Sequence, residues 1–175
     1  VLIEPAAASS GIPGLIAYLN GVDPHGGKSP VTQKDTSFTS LKTMMAKLVG
    51  MVASIPSGLC IGPEGPIIHI SALFAMYTAK AVQYVEHKFF HSHSYHASKS
   101  ERRDFLATGA ACGICTAFRA PIAGTLFVVE EAASFFTTNH LEYTFFACLA
   151  AYWCQWTIGV NTVGQTLRNA NMQIR

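Results

Sequence analysis

The sequence is short of charge. Only 13 % of its 175 residues are Asp, Glu, Lys or Arg, about half of the roughly 25 % usual in soluble domains. The formal net charge is +2, and no basic run is interleaved with aromatics. A groove for single-stranded nucleic acid is therefore excluded. Catalytic signatures are missing too. There is no HExxH, no GxSxG, and no glutamate followed three residues later by histidine, so zinc-protease, serine-hydrolase and di-iron chemistry have no residues to work with, and an enzyme is not expected. The five cysteines are odd in number and sit in apolar stretches, where cysteine behaves as a small hydrophobe. Cys112 and Cys115 form a CxxC with no second pair or neighbouring histidine to complete a zinc set. His87, His91, His93 and His96 match no common zinc spacing in a polar segment, so no metal or cofactor is expected. The N-terminus has no Met, basic region or cleavage site and is not a signal peptide. It reads as the middle of something larger.

Long uninterrupted hydrophobic runs are scarce as well. Half the residues are hydrophobic, yet the mean hydropathy is only +0.28. What the chain has instead is apolar segments broken by Gly and Pro, with few charges, which points to a membrane. "SSGIPGLIAYLNG" predicts a short first helix capped by serine, with Pro13 in its first turn and Gly21 closing it. Residues 22–37 form a polar loop, and 38–55 a helix about one membrane crossing long. A third helix starts at Glu64 and runs to about Val85. The hydrophilic segment that follows carries basic residues that favour the cytosolic side. Residues 105–118 and 121–136 are too short to cross and predict two half-length helices. Residues 141–160 are the best full-length crossing, ahead of a polar tail.

The stretch "GLCIGPEGPIIHISALFAM" places Glu64 between Pro63 and Gly65 inside an apolar run. A buried carboxylate there needs compensation. Interrupted helices recur in transporters, where helix N-termini end inside the membrane and aim free N–H groups at an anion. "SSGIP" and "GPEGP" both fit that design. At the second, the N-terminal dipole favours either the Glu64 carboxylate or an anion in its place. Protonation of Glu64 would vacate the site, which links proton movement to anion movement. Glu130 and Glu131 supply candidates for a second acid, pointing about 100° apart on a helix. His69 falls on the apolar side of its helix and reads as a hydrogen-bonded structural histidine.

Taken in order, "SSGIPGLIAYLNGV", "GLCIGPEGPIIH" and "RRDFLATGAACGICTAFRAPIAGTLFVVEEAASFF" resemble the first half of the CLC chloride channel and transporter family. The resemblance implies an all-α polytopic membrane protein with broken and half-length helices, residues 1–175 being a partial CLC transmembrane domain without CBS domains. It implies anion binding at Ser10, Gly11, Ile12 and Pro13, and a gating glutamate at Glu64. It further implies filter backbone at Gly62, Pro63, Gly65 and Pro66, and an internal proton glutamate at Glu131. Because family channels usually carry an uncharged residue at that last position, Glu131 implies chloride/proton exchange, with a passive channel or a non-transporting fragment as the alternatives. Expected partners are chloride, protons, the lipid bilayer and a second copy of the full-length protein, with residues 121–160 contributing apolar contact surface. "ERRDF" and "EEAASFF" look most like endosomal and lysosomal members. Two departures stand out: Pro63 replaces the basic residue usual before the gating glutamate, and Arg119 stands where small or neutral residues are common.

Overall fold

The computed structural model describes residues 7–8, 10–21, 37–58, 62–90, 99–132 and 138–173. The elements among its described residues are all helical, in the order α1 (Ile12–Leu19), a 3-10 turn (Ser37–Thr39), α2 (Leu41–Ser54), α3 (Glu64–Phe90), α4 (Lys99–Phe118), α5 (Pro121–Phe127), a π-helical turn (Val128–Ala132) and α6 (Thr138–Gln173).

Local chemistry explains most of these boundaries. Ser40 caps α2 by accepting from the Lys42 N–H at 3.3 Å, satisfying one of the donors a helix start leaves open. α4 ends with Arg119 at φ 55° and the Ala120 N–H donating to the Cys115 carbonyl at 3.2 Å. That is a Schellman closure with arginine where glycine is usual. Pro121 then opens α5, so the chain breaks between Ala120 and Pro121 as the sequence predicts.

Three expectations need correction. α4 has 20 residues rather than a half-length 14. The added N-terminal turn holds Glu101, favourable at the dipole's positive end, and Arg102 and Arg103, both good helix formers. α3 runs five residues beyond Val85. The polar tail is helical to Gln173, since polarity without proline does not oppose a helix.

α3 and α4 form the centre. Leu73, Ala72, Met76, Leu106, Ala110, Ala111 and Cys115 are buried between them and their neighbours. Gly109 and Gly113 let the backbones touch: a Cβ on Gly109 would lie 2.7 Å from the Ser71 carbonyl oxygen, and one on Gly113 2.8 Å from the Ile68 Cα. This is small-residue packing of the GxxxG kind. Across the seam the Ser71 hydroxyl donates to the Gly109 carbonyl at 2.8 Å. α6 lies on α4 through Gln155, which donates to the Thr116 carbonyl at 2.9 Å, and through a Thr108–Thr144 hydroxyl pair at 3.1 Å.

The outer faces are apolar. α2 exposes Leu41, Met45, Val49 and Val52 and buries Thr43 and Lys47, the reverse of a soluble amphipathic helix. α5 and α6 expose Ile122, Leu126, Tyr143, Phe146, Trp153 and Trp156. Even so, no helix among the described residues is long and apolar enough to cross a membrane. This corrects the crossings expected at 38–55 and 141–160. The 14 residues of α2 span about 21 Å against a hydrocarbon core of about 30 Å. α6 has the length, but His140, Glu142, Thr144 and Gln155 interrupt its apolar sequence.

Candidate functional site

The start of α1 is built around a residue without a side chain. Gly11 is its N-cap, buried, with φ 94°, a left-handed conformation that glycine adopts without steric cost. The Gly11 carbonyl accepts from the Leu15 N–H at 2.9 Å, and Pro13 occupies the first turn. Among the described residues no side chain caps this end. The expected serine cap is thus corrected: Ser10 is exposed, and Ser9 lies outside the described residues. The cap geometry falls to Gly11, one residue on, because only there does the backbone turn left-handed. Among the described residues the first-turn N–H groups of Ile12 and Gly14 have no side-chain acceptor, the state in which a helix start receives an anion.

A second helix start meets the first. A Cβ on Gly65 would lie 2.9 Å from the Ser10 Cβ and 3.4 Å from its carbonyl oxygen, so "SSGIP" and "GPEGP" abut directly. Glu64 opens α3, half-buried, and its carboxylate folds back against Gly62. The Pro63 carbonyl accepts from the Ile67 N–H at 3.0 Å, and Gly62 is exposed. Pro66 in the first turn lacks an N–H that would in any case have no intrahelical partner.

Behind this junction lie Lys47, which sequence reasoning missed, and His69, whose place beside it was not foreseen. Where Gly11 has no Cβ, the Lys47 Nζ and the His69 Nδ1 approach to 2.5 and 2.6 Å of the position a Cβ would take. Lys47 is 5 % and His69 0 % exposed. Among the described residues neither the ammonium nor either ring nitrogen makes a hydrogen bond of good geometry. The structural role read for His69 rests on its packing: the ring stacks on Phe38, with centroids 4.1 Å apart and planes at 17°, beside the Phe38 backbone. Phe38 is in turn fixed by the adjacent Thr39, whose carbonyl accepts from the Tyr77 hydroxyl at 2.8 Å. The available signal was the i, i+4 spacing of Thr43 and Lys47, which places both on one face of α2 opposite Met45, Val49 and Val52.

The third motif also contacts α1. The π-helical turn carrying Glu130 and Glu131 packs against α1 and α4. Glu130 is exposed, and the Glu131 side chain lies outside what is described. π-turns inside α-helices occur often at functional sites. Among the described residues no cluster of His, Cys, Asp or Glu is arranged to hold a metal. The cysteines described are free thiols, Cys115 donating to the Cys148 carbonyl at 3.2 Å.

Comparison with known proteins gives this geometry a setting. The voltage-gated chloride channel family model matches residues 1–175. Chloride channel protein A of Dictyostelium discoideum is 40 % identical over 149 residues, covering 83 % of this chain and 16 % of that protein. The H(+)/Cl(-) exchange transporter 7 of Homo sapiens is 37 % identical over 148 residues, 84 % of this chain and 17 % of its own length. Chloride channel protein CLC-a of Arabidopsis thaliana is 36 % identical over 147 residues, with coverages of 84 % and 18 %. The chain thus spans about a sixth of the length of these relatives, whose names describe chloride transport and not catalysis. With the match running from its first residue to its last, the chain belongs to the voltage-gated chloride channel family.

Proposed function

We propose that this chain is the first-half part of a CLC transmembrane domain and works, within a full-length homodimeric protein, in chloride/proton antiport. The observation that carries the reading is the junction of two helix starts at Ser10–Gly11 and Glu64–Gly65, uncapped at α1 and headed by a carboxylate at α3. In this reading Gly11 and Ile12 hold the anion by backbone N–H groups and Ser10 by its hydroxyl, with Pro13 shaping the first turn around it. Glu64, backed by Gly62, Pro63, Gly65 and Pro66, is the gate: ionised, it occupies the anion position, and protonated, it leaves it. Protons reach it from the other face through Glu131.

The bilayer setting is supported by family membership and by the inverted polarity of α2, apolar outside and polar within. A charge at the centre of a membrane helix costs on the order of 2.5–3.5 kcal/mol by insertion scales and is tolerated on a polar path. Glu131 sits at a helix interruption packed on α1, which suits such a path. The exposed apolar residues of α5 and α6 provide the surface for the second subunit. Resemblance of "ERRDF" and "EEAASFF" to endosomal and lysosomal members favours an intracellular membrane.

Antiport and channel function separate at Glu131. In vesicles containing the full-length protein with Glu131→Ala, proton transport should disappear while chloride flux persists. Proton movement still coupled to chloride in that variant would contradict the exchanger reading.

A further inference from the structure

We propose that Lys47 and His69 set the anion affinity of the Ser10–Gly11 turn as a pair, Lys47 as the charged group and His69 as the residue that positions it. The proposal rests on the anion-site reading of that turn and concerns what tunes it. Lys47 carries three donors and no acceptor, is 5 % exposed, and has no hydrogen-bond partner among the described residues. A buried ammonium is tolerated only with an opposite charge or acceptors to receive it. Its Nζ packs against the side of Gly11 that lacks a Cβ, at the positive end of α1. Both features recruit the same occupant, a small anion.

His69 accounts for how a long, flexible side chain stays aimed there. A neutral imidazole has one nitrogen lone pair, and its Nδ1 converges with the Lys47 Nζ on the same point beside Gly11. The two groups are not hydrogen-bonded in this structure; in the proposal, when the ammonium turns to the ring, Nδ1 accepts one of its protons and leaves the others for the turn. Stacking on Phe38 keeps the ring from swinging away. The pair also answers the departure at Pro63: where the resemblance leads one to expect a basic residue beside the gate, the chain has none, and Lys47 places a fixed positive charge against the same junction from α2.

The test uses the full-length transporter in vesicles and in detergent, with Lys47→Met, His69→Leu, His69→Gln and the double substitution Lys47→Met/His69→Leu. Lys47→Met should raise the KM for chloride about ten-fold, the size expected for losing one charge-assisted contact, and leave the number of protons moved per chloride unchanged. It should be no less stable in gluconate than the unsubstituted protein, because an apolar side chain replaces an uncompensated charge. The rise in Tm on exchanging gluconate for chloride should disappear. His69→Leu should reproduce most of the KM change, and His69→Gln, which keeps an acceptor, should stay within about two-fold of the original value, the scatter of a single context-dependent contact. The double variant should be no worse than Lys47→Met alone. A KM within two-fold of the original in both Lys47→Met and His69→Leu, or effects that multiply in the double variant, would overturn the pairing. Glu64→Gln distinguishes the two levels: if it leaves proton coupling intact the gate reading fails, whereas uncoupling by Glu64→Gln with an unmoved KM in Lys47→Met defeats the pair alone.

Discussion

The α3–α4 seam and the Ser10–Gly11 junction are both places where glycine lets backbones come close, and they treat polar groups in opposite ways. At the seam the Ser71 hydroxyl is satisfied by the Gly109 carbonyl, and the surrounding side chains are Ala, Leu and Ile. At the junction the same closeness leaves the Lys47 ammonium and the His69 ring buried without a hydrogen bond of good geometry among the described residues. Unmet hydrogen-bonding capacity in a buried position costs stability. The seam satisfies its polar groups internally; the junction leaves polar capacity unmet among the described residues.

The largest expected effect lies at the seam. Gly113→Leu drives a side chain into the Ile68 backbone, and overpacking of about 3 kcal/mol or more should abolish a monodisperse folded species. Size-exclusion chromatography of the full-length protein in detergent reads this directly. A sharp peak at the normal position would show that the two helices are not in backbone contact.

Gly11→Ala is the corresponding change at the junction. It forces a Cβ toward Lys47 and His69 and strains a φ of 94°, costing roughly 1–2 kcal/mol. Here the protein should survive and its chloride flux should fall by an order of magnitude, the reverse of the balance seen at the seam. Normal flux with lowered Tm would make the junction another packing site.

Removing one satisfied bond is milder. Ser71→Ala loses the hydroxyl that donates to Gly109 and should lower stability by about 1 kcal/mol without altering transport, as measured by a Tm series alongside flux. Smallest, and of opposite sign, is Arg119→Gly. It relieves a non-glycine residue at φ 55° and should stabilise by about 1 kcal/mol. A lower Tm would mean that the Arg119 side chain makes a compensating contact.

The comparison also marks what was readable in the sequence. The break at Ala120–Pro121, the start at Glu64 and the short α1 are written in local chemistry: a proline, a glycine, an acid at a dipole's positive end. The three ordered motifs carried the family. The extent of α4 was lost because charged residues at 99–104 look like loop when judged by polarity, although nothing in them opposes a helix. Lys47 escaped notice, and the meeting of Lys47 with His69 was not foreseen, for another reason. Each is unremarkable on its own helix, and their meaning lies in a tertiary fact, that α2 and α3 both point a polar group at one glycine of α1.

The central claim is that the junction of the two helix starts is an anion position with Glu64 as its gate. The most direct measurement is paired recording of proton and chloride flux in vesicles containing the full-length protein with Glu64→Gln, whose neutral side chain mimics the protonated gate. The account predicts chloride flux that continues and no longer carries protons. Chloride flux that remains coupled to protons in this variant would contradict it.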